Sequence, residues 1–156
     1  MTNQDRCVIG TSGWHYDHWI ERFYPKEIPS EAFLSYYAKQ FKTVEINNSF
    51  YHLPTKDTIH RWASQTPDDF CFAVKANRYI THMKNLIDPQ EPVQQLLDAI
   101  KLLKQKVGPI LFQLPPQWSR NEQRLASFLQ ILPPKFAYAF EFRNLSWYTE
   151  EIVALL

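Results

Sequence analysis

The sequence predicts an α/β protein whose strands form a parallel sheet. Five short runs rich in β-branched and aromatic residues alternate with segments whose apolar residues recur at helical spacing. The 11 prolines are expected to lie between these segments, where residues that break helices and strands belong. Strict alternation of strand and helix favours right-handed βαβ units and therefore parallel strands.

Each predicted strand is a short run of Val, Ile, Thr or aromatic residues bounded by residues typical of turns. One segment with helical spacing follows each of them along the chain. The predicted strands cover residues 7–11, 43–47, 70–76, 110–114 and 138–143.

The helices are predicted from apolar residues that repeat at i, i+3, i+4 and i+7. The clearest such stripe runs from Val93 to Leu103, in the third helix. Asp88 is expected to cap the start of that helix, and Ser119 opens a capping box with Glu122 at the start of the fourth. The predicted helical segments cover residues 33–41, 59–63, 88–103, 119–132 and 146–156.

The length of the chain leaves two architectures open. With 156 residues we expect a single domain over residues 1–156. Five units could form a smaller open α/β sheet, or roughly the first five-eighths of a (β/α)₈ barrel of about 250 residues. In a truncated barrel the first and fifth strands would be exposed edges that invite pairing with another chain.

Composition and charge exclude several classes of function. The 17 Lys and Arg residues against 16 Asp and Glu give a net charge of +1, which provides no broad footprint for nucleic acid or an anionic membrane. A local basic groove, and hence nucleic-acid binding, remains compatible with this balance. The 3 glycines cannot supply a G-x-G-x-x-G fingerprint or a Walker A loop.

The sequence carries no signal of a secreted or membrane protein. Residues 1–6 have neither a basic region nor the apolar run of a signal peptide. No apolar stretch approaches the roughly 20 residues that span a bilayer. Cys7 and Cys71 are too few for a disulfide framework. We therefore expect a cytoplasmic protein with no membrane partner.

Alternation of side chains along the strands is the feature most informative about function. In each of the last four strands an apolar row alternates with a row that carries polar or charged residues near the carboxyl end. An unpaired charge is costly to bury, so these side chains must reach water, a ligand or one another. Substrates of α/β folds bind at this end of the strands. The residues so predicted are Glu45, Asn47, Lys75, Gln113, Glu141 and Arg143.

Two interpretations of this polar row remain open. The carboxylates of Glu45 and Glu141 balance the charges of Lys75 and Arg143, so the four could form one paired cluster with shifted pKa values in a semi-buried site. The same residues could instead form an internal ion-pair network that only sets the register of the strands.

Loops after the strands add candidate binding residues. Ser12 could offer a hydroxyl to an anion. Trp14 could stack on a ring, although packing in the core is the more common role of a tryptophan. Asn48 and Tyr51 lie in a loop rich in neutral hydrogen-bonding groups. His82 could be a general acid or base, since the pKa of histidine lies near neutrality, or it could simply be solvated.

Several of these segments resemble one family of proteins. They are GTSGW (10–14), FYP (23–25), VEINNSFY (44–51), FAVKA (72–76), ITH (80–82), GPILFQLPP (108–116), FEFR (140–143) and SW (146–147). In this order they are similar to the YecE-like family, known as domain of unknown function seventy-two.

The resemblance implies a parallel (β/α)₈ TIM-type barrel of roughly 240 residues. This chain would then correspond to the N-terminal two-thirds or so, truncated to about five βα units. The matching positions coincide with the polar row and one loop residue: Glu45, Asn47, Lys75, His82, Gln113, Glu141 and Arg143. The biochemical activity of the family is not established, so the resemblance implies a fold and a site but no reaction and no cofactor.

The first functional hypothesis is an enzyme that acts on a small polar or phosphorylated substrate. Glu45 or Glu141 would be the general base, with His82 and Lys75 as further catalytic candidates. Lys75 and Arg143 would bind the anionic group, while Gln113 and Asn47 orient it. In a variant of this hypothesis Glu45, Glu141 and His82 hold a divalent metal.

The second hypothesis is a module that binds a nucleotide, a sugar or a nucleic-acid strand without turnover. Lys75, Arg78 and Arg143 would contact phosphate, and Trp14 or Trp147 would supply a stacking surface. A third possibility is a truncated gene product without a function of its own, which would be insoluble or molten in dilute solution.

Overall fold

The computed structural model of the chain describes residues 7–156, and its central element is a parallel sheet of four strands. The strands are hydrogen-bonded in chain order, and each neighbouring pair is parallel. The predicted α/β class with a parallel sheet is therefore confirmed. The strands are β1 (Thr43–Ile46), β2 (Cys71–Lys75), β3 (Val107–Gln113) and β4 (Tyr138–Glu141). The described α-helices are α1 (Phe33–Gln40), α2 (Lys56–Ser64), α3 (Gln90–Ile100), α4 (Glu122–Gln130) and α5 (Glu150–Leu155).

The strand predicted over residues 7–11 is reduced to a single bridge, between Ser12 and Glu45. The Glu45 amide donates to the Thr11 carbonyl at 3.0 Å, and the Gly13 amide donates to the Glu45 carbonyl at 2.9 Å. Gly13 has φ +88° and turns the chain away directly afterwards. On the other side Ile9 is 74% exposed, so no half-buried surface supports a pleated strand there. The prediction drawn from residues 1–6 lies outside the described residues.

The four-stranded sheet is unclosed. Over residues 7–156, β1 and β4 form its two edges and do not pair with each other. The complete (β/α)₈ barrel is therefore not what the described part of the chain forms, because one open sheet of four strands cannot surround an interior.

The two faces of the sheet differ in burial along β1, β2 and the second half of β3, as the alternation predicts, whereas all four residues of β4 are half-buried. The burial pattern along β2 alternates strictly, with Phe72 and Val74 buried and their neighbours half-buried. Full burial of such a side chain stabilises the fold by about 1.5–3 kcal/mol, so this row contributes much of the stability of the core. The buried row consists of Val44, Ile46, Phe72, Val74, Ile110 and Phe112.

The helices cover this buried row. On α4, Phe128 meets Phe112 edge-to-face at 4.9 Å between ring centroids. On α1, Leu34 and Tyr37 are buried in the same core cluster, as is Trp62 on α2. The opposite row, which carries the polar side chains, is left half-buried and faces away from the helices.

Two helices begin at residues other than those predicted. The N-cap of α4 is Asn121, whose Oδ1 accepts a hydrogen bond from the Arg124 amide at 3.0 Å, and not Ser119. The residue that precedes α3 is Pro89, which makes no side-chain cap, and not Asp88.

Two prolines lie inside elements instead of between them. Pro92 is in the first turn of α3, where a backbone amide has no partner within the helix in any case. Pro109 is exposed in β3, next to a shift in the register between β2 and β3. Proline is tolerated at such irregularities because the regular ladder is already interrupted.

The end of the described chain is less regular than one helix. Leu145–Trp147 forms a short 3₁₀ turn, and α5 begins only at Glu150. No helix among residues 7–156 is long and apolar enough to cross a membrane.

Candidate functional site

A cavity of about 470 Å³ lies at the carboxyl ends of the four strands. Asn47 follows β1, Lys75 ends β2, Gln113 ends β3 and Arg143 follows β4. Parallel strands bring these positions to one edge of the sheet, which is why residues far apart in sequence line the same cavity. The full lining is Asn47, Phe50, Tyr51, Lys75, Arg78, His82, Gln113 and Arg143, and we call it the cationic cavity.

The name reflects the three cations in this lining. The Lys75 ammonium lies 4.9 Å from the centroid of the Phe50 ring, and the Arg78 guanidinium lies 6.0 Å from that of Tyr51. Arg143 Nε lies 3.7 Å from the Glu141 carboxylate. Within residues 7–156 neither Lys75 nor Arg78 forms an ion pair. The cavity therefore has more positive than negative charge, which favours an anionic ligand.

Glu141 is held in place from two sides. The Gln113 Nε2 donates to Glu141 Oε2 at 2.7 Å, because the register of β3 and β4 sets the two residues opposite each other. Arg143 approaches the other carboxylate oxygen. This arrangement orients the amide and the guanidinium at the rim and leaves Glu141 engaged with both.

A second chain of hydrogen bonds starts from β1. Ser12 Oγ donates to Glu45 Oε1 at 2.7 Å, and the Asn47 side-chain amide donates to Ser12 Oγ at 2.8 Å. The bridge between Ser12 and Glu45 supplies this proximity, so the shortened first strand still positions Ser12. The predicted single cluster of paired carboxylates and cations is thus divided in two: Glu45 pairs with Ser12, and Glu141 with Gln113 and Arg143.

His82 lies on a π-helical turn, Tyr79–Met83, of a kind that occurs frequently at functional sites. Its Nδ1 is 2.9 Å from the hydroxyl oxygen of Thr81, which is itself buried, and its ring meets Phe50 edge-to-face at 5.1 Å. Burial, followed by the charges of Lys75, Arg143 and Arg78, lowers the pKa of His82, and Glu141 opposes this shift. His82 is therefore neutral at pH 7 and able to accept a proton.

The remaining predicted binding residues lie in different places. Tyr51 is 60% exposed at the mouth of the cationic cavity. Trp14 and Asn48 line a separate depression beside it, and Trp14 packs edge-to-face on Trp62 at 5.2 Å.

Trp147 does not reach the site. It is 1% exposed, stacks on Phe142 at 5.1 Å, and donates its indole N–H to the Trp118 carbonyl at 2.8 Å. Its role is in the core, because both its ring and its donor are already used by the protein.

One member of the lining, Phe50, is not among the residues that any hypothesis from the sequence names. Phe50 follows β1 in a short 3₁₀ turn, and nothing in its sequence neighbourhood distinguishes it from a core aromatic. Arg78 is predicted only as a phosphate contact of the binding module, and its position three residues after Lys75 is the available signal. Thr81, the partner of His82, belongs to the ITH segment (80–82), but no hypothesis from the sequence gives it a role.

The metal variant of the enzyme hypothesis is not supported by the arrangement of these side chains. Within residues 7–156 no group of three or more His, Cys, Asp or Glu side chains could hold a metal ion. Glu45 and Glu141 are engaged in separate hydrogen-bond networks, and together with His82 they do not form the predicted set of ligands.

A groove of similar volume, about 490 Å³, lies between the amino-terminal ends of α3 and α4. The charged residues in its lining are one acid, Asp88, and one base, Arg124. The residues that line this groove belong to the helical layer and not to the ends of the strands. The groove therefore lacks the concentration of charge found in the cationic cavity.

Comparison with known proteins places the chain among proteins without an assigned activity. A family model described as "Protein of unknown function DUF72" matches residues 8–156. UPF0759 protein YunF of Bacillus subtilis is 32% identical over 151 residues, which are 90% of this chain and 52% of that protein. UPF0759 protein YecE of Escherichia coli is 31% identical over 137 residues, which are 87% of this chain and 48% of that protein. The chain thus spans about half the length of the curated relatives it matches.

Solved structures agree with this similarity. A DUF72 family protein from Thermotoga maritima superimposes with a TM-score of 0.80 at 30% identity, covering 96% of this chain and 60% of that one. A DUF72 family protein from Enterococcus faecalis superimposes with a TM-score of 0.69 at 22% identity, covering 92% and 53%. At that identity the second match bears on the fold alone.

Proposed function

The chain belongs to the DUF72 family, and on that premise we propose that the cationic cavity is an active site for a small substrate with a phosphate or another anionic group. The observation that carries the proposal is the set of three cations around one neutral histidine at the carboxyl ends of parallel strands. Two of the cations have no carboxylate partner among residues 7–156, so an anion would complete the charge balance.

We assign the following roles within this proposal. Lys75, Arg78 and Arg143 bind the anionic group, since charge-assisted hydrogen bonds are the strongest available to such a ligand. Gln113 orients the substrate and is itself oriented by Glu141. His82 accepts a proton, because its lowered pKa keeps it neutral at physiological pH.

The general base of this proposal is thus His82 and not Glu45 or Glu141. Glu45 Oε1 accepts the Ser12 hydroxyl and Glu141 Oε2 accepts the Gln113 amide. A carboxylate that is engaged in this way orients its neighbours and has less capacity to take a proton from substrate.

We also propose that the sheet belongs to a closed barrel. The four strands, in chain order and all parallel, would be part of the wall of a (β/α)₈ barrel, with residues 1–156 as one domain. The chain superimposes on 60% of the Thermotoga maritima protein with a TM-score of 0.80, and the rest of that longer protein leaves room for the further strands that a closed barrel needs.

Anion binding is tested by titrating the chain with inorganic phosphate in a calorimeter. Replacing Lys75 with Met should lower phosphate affinity about tenfold or more, the typical cost of losing a hydrogen bond to a charged group. The matched control is Lys39→Met, which removes an exposed lysine of α1 outside the cavity. Binding should also weaken as salt is raised. Equal phosphate affinity in Lys75→Met and the wild type would contradict the proposal.

A binding module without turnover is the second candidate, favoured by the exposed Tyr51 ring beside Arg78. The variant His82→Gln separates the two. A screen of phosphorylated metabolites against the wild type identifies ligands by thermal shift, and each ligand is then followed for conversion. An enzyme should lose conversion in His82→Gln and keep binding, whereas a binding module converts none of its ligands even as the wild type.

A further inference from the structure

We propose that the cationic cavity is one half of a two-part site, and that its ligand is a phosphorylated ring compound whose ring carries hydrogen-bond donors. The inference rests on the proposed function and names the class of substrate. A second depression of about 210 Å³ lies beside the cationic cavity, and Asn47 lines both. We call it the aromatic depression. A ligand that fills both must therefore pass Asn47.

The aromatic depression is lined by three rings from one segment and two amide side chains from another. Its members are Gly13, Trp14, His15, Tyr16, Asn47 and Asn48. Trp14 is fixed edge-to-face on Trp62, at 5.2 Å between centroids. Tyr16 donates its hydroxyl to the Ser12 carbonyl. Rings that are already held in position lose little entropy when a second ring stacks on them.

Asn47 lies where the two cavities meet, and its side chain determines which polar group the ligand must carry. A carboxylate only accepts hydrogen bonds, so the Ser12 hydroxyl must donate to Glu45 and accept from the Asn47 amide. This direction fixes the orientation of the Asn47 side chain. Its Oδ1 makes no hydrogen bond to any residue between 7 and 156 and remains an acceptor. A ligand satisfies it with a hydroxyl or an amine.

Three requirements therefore apply to one molecule. It carries an anionic group for Lys75, Arg78 and Arg143, a donor for Asn47, and a ring for Trp14 and Tyr16. Nucleoside monophosphates and sugar phosphates share this chemistry. Inorganic phosphate satisfies only the first requirement, which makes it the reference ligand for the test.

The test is calorimetric titration of the full chain with inorganic phosphate, adenosine monophosphate and glucose 6-phosphate. At least one ring phosphate should bind about tenfold more tightly than inorganic phosphate, since stacking a ring on an aromatic side chain typically contributes enough for that ratio. The ligand that gains identifies the source of the ring, a nucleoside or a sugar.

Variants locate the gain. Asn48→Ala should reduce the affinity for the ring phosphate towards that for inorganic phosphate and leave the latter unchanged, because Asn48 lines the aromatic depression and not the cationic cavity. Trp14→Leu should do the same. The matched control for the amide is Gln40→Ala, which truncates an exposed side chain at the end of α1.

The outcomes separate this inference from the proposed function. If inorganic phosphate binds and neither ring phosphate binds more tightly, the two-part site is wrong and the anion site stands. A gain that survives both Asn48→Ala and Trp14→Leu also overturns the inference, because the ring then lies elsewhere. If none of the three ligands binds, the proposed function fails and this inference fails with it.

Discussion

Lys75 and Lys106 show how one residue type serves two purposes in this chain. Lys106 is 5% exposed and donates to the carbonyls of Ala63 and Thr66 at 2.6 and 2.7 Å. Its donors are used by the protein, so its role is structural. The Lys75 ammonium lies over the Phe50 ring and makes no hydrogen bond to the residues that the structure describes. Donors that are near an aromatic face and still unused are available to a ligand.

His82 combines features that the sequence reveals with others that it does not. Its place in a loop after a parallel strand marks it as a candidate, and its proximity to the cations follows from the strand order. The hydrogen bond to Thr81 and the burial that lowers its pKa depend on the π-helical turn, which no local pattern predicted.

The pKa of His82 predicts a dependence of stability on pH. Since folding lowers this pKa, the unfolded chain, with a value near 6.5, binds more protons than the folded chain below neutral pH. The stability that comes with a neutral His82 is therefore fully present above about pH 7. It is lost as the pH falls through the pKa of His82 in the folded chain. His82→Gln should remove this component.

The measurement is the free energy of unfolding in urea for the wild type and His82→Gln between about pH 8 and pH 5. The stability of the wild type relative to the variant should fall with the pH. A difference that is constant, or that grows as the pH falls, would show that the pKa of His82 is not lowered by folding.

At the scale of elements, the start of α4 explains why a correct pattern gave a wrong boundary. Ser119 and Glu122 have the spacing of a capping box, but the Arg120 amide donates to Ser146 Oγ at 2.8 Å. This contact ties the residues before the helix to the loop after β4. Asn121 is the first residue free to cap, and it caps the Arg124 amide. A hydrogen bond between residues 26 positions apart in the sequence therefore decides whether Ser119 or Asn121 caps the helix.

The caps can be distinguished by substitution. Asn121→Ala should destabilise the protein by about 1 kcal/mol, the usual cost of removing an N-cap side chain. Ser119→Ala is the matched control, since this exposed residue does not cap α4, and its effect should lie within about 0.5 kcal/mol of zero. Urea denaturation measures both. A larger loss for Ser119→Ala than for Asn121→Ala would restore the boundary predicted from sequence.

The first predicted strand failed for a reason of the same kind. Residues 7–11 have the composition of a strand, and only a bridge at Ser12 forms. The residues typical of strands are those whose side chains pack well on a half-buried pleated surface. Val8 and Ile9 are 53% and 74% exposed, so that surface is missing around them.

For the whole molecule, the consequence of the unclosed sheet is that its two faces contribute unequally to stability. Helices cover the face that carries Phe112, which is fully buried. Leu111, one residue earlier in β3, points to the other face and is half-buried. Because β-strand side chains alternate, neighbouring residues in this strand sample the two environments directly.

This asymmetry is tested by two truncations in β3. Phe112→Ala should destabilise the chain by about 3–5 kcal/mol, as expected for a large aromatic in a packed core. Leu111→Ala should cost clearly less, about 1 kcal/mol, because its side chain is only partly removed from water. Urea or thermal denaturation measures both. Similar small losses without a cooperative transition would indicate a molten chain, the state expected of a truncated product without function.

The sequence by itself determined the α/β class, the four later strands, the polar row and the end of the sheet at which the cationic cavity lies. These follow from side-chain alternation and from the parallel connection of strands, both of which are periodic and local. Only the tertiary structure decided the number of strands, the cap of α4, the separation of Glu45 from Glu141, the inclusion of Phe50 in the cavity lining, and the burial of Trp147. Each of these depends on contacts between residues distant in sequence, and local patterns carry no information about which distant residue will be the neighbour.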